Sequence, residues 1–163
     1  MSHRSPYQIP TFDVAAMPVP RDAVRFVIRG EAASKANQRE LATIGPKHAR
    51  RTILRKSDKA LAFEDSALLQ IPAEARRMFA GLVAIELRMH YASMRPDLDE
   101  SIVLDVLQAR FAPVVKGKPR RLVRAGVYLN DRQVWHKRIT RGLDAADPRI
   151  EVTVWPLSPE VPA

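Results

Sequence analysis

The residues best suited to chemistry lie in one short stretch, Arg95-Pro96-Asp97-Leu98-Asp99-Glu100-Ser101. Asp97 and Asp99 are two apart, so in an extended chain their carboxylates face the same way while Leu98 turns inward. Two carboxylates held side by side repel unless a cation lies between them, and a hard divalent ion such as Mg2+ takes only oxygen ligands. Asp99 also stands where a helix N-cap belongs, and an N-cap needs no metal. Asp131, in the pair Asn130-Asp131, is by type an ordinary turn residue. If the strands around that turn flank the 82–91 strand, Asp97, Asp99 and Asp131 meet at one sheet edge. Three aspartates there form an acidic pit in a basic surface, an arrangement suited to metal-assisted cleavage of a phosphodiester.

The cations are clustered. Lys47, Arg50, Arg51, Arg55 and Lys56 fall within ten residues without an acid, and Lys116, Lys118, Arg120, Arg121 and Arg124 within nine, again without one. Lys137, Arg138 and Arg141 follow Asp131. A charge run is commonly just a solvated face, but three clusters favour a surface that tracks phosphates. No zinc finger, basic zipper or aromatic RNA-binding signature is present, so recognition is expected to be of backbone and shape. The 163-residue chain carries 27 Lys+Arg against 18 Asp+Glu, a net charge of +9, which points first at nucleic acid, with solubility as the plain alternative.

Other chemistries are excluded by type. There is no cysteine, hence no disulfide, thiolate catalysis, zinc ribbon or iron–sulfur cluster. His3, His48, His90 and His136 are scattered without ligand spacing. Six glycines and no phosphate-binding loop argue against a nucleotide cofactor. No run approaches the ~18 apolar residues of a membrane span, and MSHRSPYQIP lacks the apolar centre of a secretory signal. The expectation is a cytoplasmic protein with no membrane partner.

Period-two alternation marks the elements that must position these residues. Val24, Phe26 and Ile28 alternate with Arg25 and Arg29. Val83, Ile85, Leu87, Met89 and Tyr91 alternate with Ala84, Glu86, Arg88 and His90. Further alternation covers 134–141 and 149–154. Val127 to Leu129 precede the turn at Asn130-Asp131, which predicts a hairpin with 134–141. Residues 58–70 read as a helix capped by Ser57 or Asp58, and 72–80 as a restart after Pro72. A second main helix is expected over 100–111, with Ile102, Val103, Val106, Leu107 and Arg110 on one stripe and Asp99 as its cap. Pro-rich flanks read as extended tails over 1–22 and 157–163. The body, 23–156, is expected to be a small single α+β domain with a mixed sheet packed against two main helices.

In combination these segments resemble the RusA family of Holliday junction resolvases, common in phages and prophages. Arg95-Pro96-Asp97-Leu98-Asp99, followed by Leu104-Asp105-Val106-Leu107-Gln108, resembles the family's Asp-Leu-Asp motif and its following helix. Ala125-Gly126-Val127-Tyr128-Leu129-Asn130-Asp131-Arg132-Gln133-Val134 resembles the segment that carries its third aspartate. Lys137 and 149–154 match its closing strands. Ile28-Arg29-Gly30 and Ser34-Lys35-Ala36-Asn37 are similar, more loosely, to its opening strand and polar loop.

The resemblance implies a homodimeric endonuclease, dependent on Mg2+ with Mn2+ as an alternative ion, that nicks four-way DNA junctions symmetrically. Asp97, Asp99 and Asp131 match the metal-binding, catalytic aspartates. Lys35 and the basic clusters, with Lys137, are expected to hold DNA. Two positions depart from the pattern: Glu100 replaces the family's Asn, and Val103 replaces a frequent Lys. Residues 109–124 also form a longer connection than is usual there. Two alternatives stay open: a branched-DNA binder of the same fold with little or no cleavage, and a basic RNA-binding or assembly protein whose aspartates are caps and turns.

Overall fold

In a computed structural model of the chain, which describes residues 18–33, 39–94 and 97–157, the elements follow in a simple order. They are β1 (Val24–Arg29), β2 (Arg39–Ile44), β3 (Arg51–Lys56), α1 (Asp58–Gln70), β4 (Val83–Tyr91), α2 (Ser101–Leu107), β5 (Arg110–Phe111), β6 (Leu122–Arg124), β7 (Val134–Leu143) and β8 (Arg149–Pro156). The main sheet has the order β1-β8-β4-β7. β8 runs antiparallel to both β1 and β4, whereas β7 runs parallel to β4. The molecule is a single α+β domain: one mixed sheet and two helices.

Alternation explains which face is buried. Ile85, Leu87, Met89 and Tyr91 of β4, with Ile150, Val152 and Val154 of β8, point to the same side. They pack with Ala60, Phe63 and Ala67 of α1 and with Ile102, Val103, Val106 and Leu107 of α2. Each large apolar side chain so buried is worth about 2 kcal/mol in lost water contact. The opposite face is polar over most of its area, and Glu86 is buried there between Arg88 and Arg138 at 3.1 Å each. At the Val83 end that face is covered by a small cluster of Ala23, Ala84, Trp155 and Leu157.

One helix has the expected extent, and the others are shorter. α1 covers 58–70 as predicted, with the Ser57 side chain accepting from the Ala60 N–H at 3.2 Å. Its inward face is Ala60, Phe63 and Ala67, while Leu69 is 89% exposed. Residues 72–80 do not restart a helix: a 3-10 turn over Ala73–Ala75 is followed by Met78 at φ 54°. Arg76 fixes this path by donating to Leu68 O and Ala125 O at 2.7 and 2.9 Å. α2 stops at Leu107 rather than 111, because the carbonyl of Leu107 accepts from Val127 N and the chain turns extended at Gln108. Arg110 therefore leaves the helical stripe and enters β5.

The predicted hairpin between 127–129 and 134–141 is replaced by another arrangement. Tyr128 forms parallel bridges with Phe79 and Gln108, and β7 pairs with β4. Gly126 makes this possible, since an added Cβ would lie 2.3 Å from Ala109 N and 2.4 Å from Gln108 C. Two ribbons were not foreseen as strands: β2–β3, closed by Gly45 and Pro46, and β5–β6.

Candidate metal and nucleic-acid site

Tyr91 closes β4, and its hydroxyl donates to the main-chain oxygen of Asp97 at 3.3 Å. Leu98 does not turn inward; it is 39% exposed. The N-cap position of α2 is Glu100 and not the expected Asp99; Asp99, one residue before it, accepts at Oδ1 from the Ser101 N–H at 3.0 Å and so ties the segment to the start of the helix. Glu100 follows, and its Oε1 accepts from Lys137 Nζ at 2.6 Å. Burial pushes the Glu100 carboxyl up, but the Lys137 hydrogen bond and charge outweigh it and hold it below the ordinary value, with Asp99 near enough to press upward again.

β7 meets this segment with cations. In the parallel register Lys137 lies opposite Ile85 and Arg141 opposite Met89, so both share the sheet's helix-side face. The Arg141 guanidinium lies over the Tyr91 ring, 5.5 Å from its centre. Residues 97–100 therefore lie against a cationic stripe on an edge strand. Burial raises the Tyr91 phenol, with the Asp99 main chain and Arg141 opposing.

Asp131 is exposed and opens a 3-10 turn, Asp131–Gln133, that leads into β7. The turn is held by Gln133, whose Oε1 accepts from Leu129 N and Asn130 N at 2.8 and 2.9 Å. Its Nε2 donates to Phe79 O and Gly81 O, both at 2.7 Å. Beneath it lies buried Tyr128, which donates to Leu104 O at 3.0 Å. Its phenol is pushed far upward, first by burial and then by Asp131 and Asp105.

Parallel pairing sets the spacing of the three aspartates. Asp97 and Asp99 come after the end of β4, and Asp131 before the start of β7, beside the beginning of β4. Glu100 brings the acidic segment back as far as Lys137, about 10 Å of strand from Val134. Asp97 and Asp99 thus share one segment, and Asp131 stands in a separate turn. Among the described residues no group of three or more His, Asp or Glu side chains is gathered closely enough to hold a metal ion.

The predicted DNA contacts divide. Lys35 lies outside the described residues. Lys47, Arg50 and Arg51 are exposed on the β2–β3 ribbon. Arg55 pairs with Glu40 at 2.5 Å and Asp58 at 3.1 Å, and Lys56 with Glu64 and, at 3.4 Å, Asp105. Lys116, Lys118, Arg120 and Arg121 are exposed on the β5–β6 ribbon, and Arg124 is half-buried at its base. Lys137 pairs with Glu100. Sequence reasoning gave no role to Gln133, Tyr91 or the Glu100 carboxylate; the single available signal was Glu100 standing where the RusA pattern has Asn. The chain matches no family model and no curated protein. No helix among the described residues is long and apolar enough to cross a membrane.

Proposed function

We propose that this chain is a metal-dependent endonuclease that cleaves branched DNA, four-way junctions above all, by paired nicks. In this reading Mg2+ or Mn2+ is the ion and a two-fold homodimer supplies two sites. The observation that carries it is the acidic segment 97–100 lying against Lys137 and Arg141 of an edge strand, in a protein of net charge +9 with two exposed basic ribbons.

The donor chemistry fits a hard ion. Asp97 and Asp99 offer carboxylate oxygens, and the chain has no thiolate to compete. Asp97 and Asp99 would hold the ion; Asp131, in its separate turn, is the third aspartate that the RusA resemblance implies and is not gathered with them here. A bound ion supplies Lewis-acid polarisation of a phosphate and a lowered pKa for water. Val103 is buried in the core and donates nothing, whereas Lys137 reaches the acidic segment and takes the cationic role there. The ribbon cations hold the phosphates of the junction arms.

Purified protein with Mg2+ and a synthetic four-way junction is expected to give symmetric nicks. Asp97→Asn, Asp99→Asn and Asp131→Asn are each expected to lower the rate at least about a hundredfold. Cleavage unchanged by Asp97→Asn would refute the reading. The separation of Asp131 from the other two, and the burial of Val103, favour one second reading: a branched-DNA binder without cleavage. A gel shift with intact product in both ions selects it.

A further inference from the structure

Residues 110–124 form a ribbon inserted between α2 and the turn that carries Asp131. It holds Arg110, Lys116, Lys118, Arg120, Arg121 and Arg124, and no acid. β5 and β6 pair Arg110 with Arg124 and Phe111 with Leu122, and Ala112 N donates to Arg121 O at 2.8 Å. Arg120 stacks on the Phe111 ring at 4.4 Å, which stiffens the arm. The tip turns at Gly117, φ 76°, with Lys118 N donating to Val115 O at 3.0 Å.

Two features of this ribbon go beyond what holds it together. First, among the described residues none of the ribbon's six cations forms an ion pair, whereas Lys56, Lys137, Arg138 and Arg149 each take a carboxylate. Crowding adds to this, since burial and then the neighbouring Arg76 and Arg110 hold Arg124 below its ordinary value. Second, Val114 and Val115 at the tip are 79% and 55% exposed. A two-stranded ribbon of one charge sign matches a DNA groove in width and a phosphate backbone in charge. Apolar side chains gain little on an intact duplex, whose base faces are covered, but a branch point uncovers such faces.

We propose that the 110–124 ribbon is a branch-sensing arm: Lys116, Lys118, Arg120 and Arg121 grip the phosphates of one DNA arm while Val114 and Val115 pack on base faces that the branch leaves unstacked. This rests on the reading of the chain as a branched-DNA protein. The arm separates two kinds of contact, one electrostatic and indifferent to shape, the other apolar and specific to a branch.

The test uses the full chain in EDTA, so that no metal-dependent cleavage intervenes. Fluorescence anisotropy compares a synthetic four-way junction with a linear duplex of the same arm sequence. Val114→Ser with Val115→Ser is expected to weaken junction binding about fivefold to tenfold and leave duplex binding and salt dependence unchanged. Lys116→Ala with Lys118→Ala is expected to weaken both ligands alike and make the salt slope shallower by about two. All four positions are exposed, so circular dichroism and melting temperature are expected to match wild type. A valine variant with an unchanged junction-to-duplex ratio overturns the arm while leaving the DNA reading intact. Wild-type protein that binds neither DNA overturns both.

Discussion

Glu100 and Lys137 lie 2.6 Å apart, and their pairing makes the anchoring of the acidic segment depend on pH. The folded carboxyl titrates below its ordinary value of 4.5, so the pair stabilises the protein fully above that value and stops doing so as pH falls through the lower folded value. Glu100→Gln is therefore expected to cost up to about 1 kcal/mol at pH 7 and progressively less as the pH is taken below 4.5, as read by urea denaturation at neutral and at acid pH. Equal effects at both pH values would contradict the pair's role. Gln133 is a stronger constraint. Replacing it with Leu removes the partner of the half-buried Phe79 carbonyl and Leu129 N–H, and of the exposed Gly81 carbonyl and Asn130 N–H, which water can reach, and is expected to cost about 1–2 kcal/mol. If the Asp131 turn serves the site, that variant also loses activity at temperatures where it remains folded. Asp97, Asp99 and Asp131 were legible because a carboxylate announces itself by type and spacing. Gln133 was not, because its partners Phe79 and Gly81 lie far away in sequence and are main-chain atoms, which no side-chain pattern encodes.

At the scale of elements, strands buried on one face were legible and strands solvated on both were not. β4 and β8 alternate cleanly because one side meets the helices. β2 and β3 carry Leu41 and Leu54 opposite each other, 75% and 57% exposed, and none of their residues is buried, so no core-facing row of apolar residues marks them. Changing both to Thr is expected to shift stability by less than about 0.5 kcal/mol, measured by thermal melting, since neither contributes to the core. The end of α2 was misplaced for a different reason. Apolar spacing continues toward Arg110, but the Gly126 backbone arrives against residues 107–109 and takes the Leu107 carbonyl at 2.8 Å through Val127 N. Gly126→Ala would drive a Cβ into main-chain atoms that have no room to yield, and is expected to cost about 3 kcal/mol or more. A melting temperature within 2–3 degrees of wild type, roughly, would show that this contact relaxes.

Across the whole molecule, charge is distributed in two ways. Acids and bases pair off along the sheet and around α1, while Lys47, Arg50 and Arg51 on one ribbon and Lys116, Lys118, Arg120 and Arg121 on the other take no part in an ion pair among the described residues. If each of these neutralises one phosphate, the logarithm of the DNA binding constant is expected to fall against that of salt with a slope of about −6. Anisotropy titrations between about 50 and 200 mM salt measure it, and a slope shallower than about −3 would show that the ribbons do not both engage. The sheet order has a separate consequence. β8 is the last strand among the described residues yet lies between β1 and β4, and it joins Val24 to Val154 across roughly 130 residues of sequence. On the ribosome, a nascent chain that has not yet released Pro156 presents two open strand edges with nothing to fill the gap between them. Helices and ribbons can form earlier, but the sheet closes only once β8 has emerged, in a late step dominated by distant contacts. A chain stopped after Asp147 is accordingly expected to remain unfolded and to be cleared by proteases rather than persist as a shortened domain.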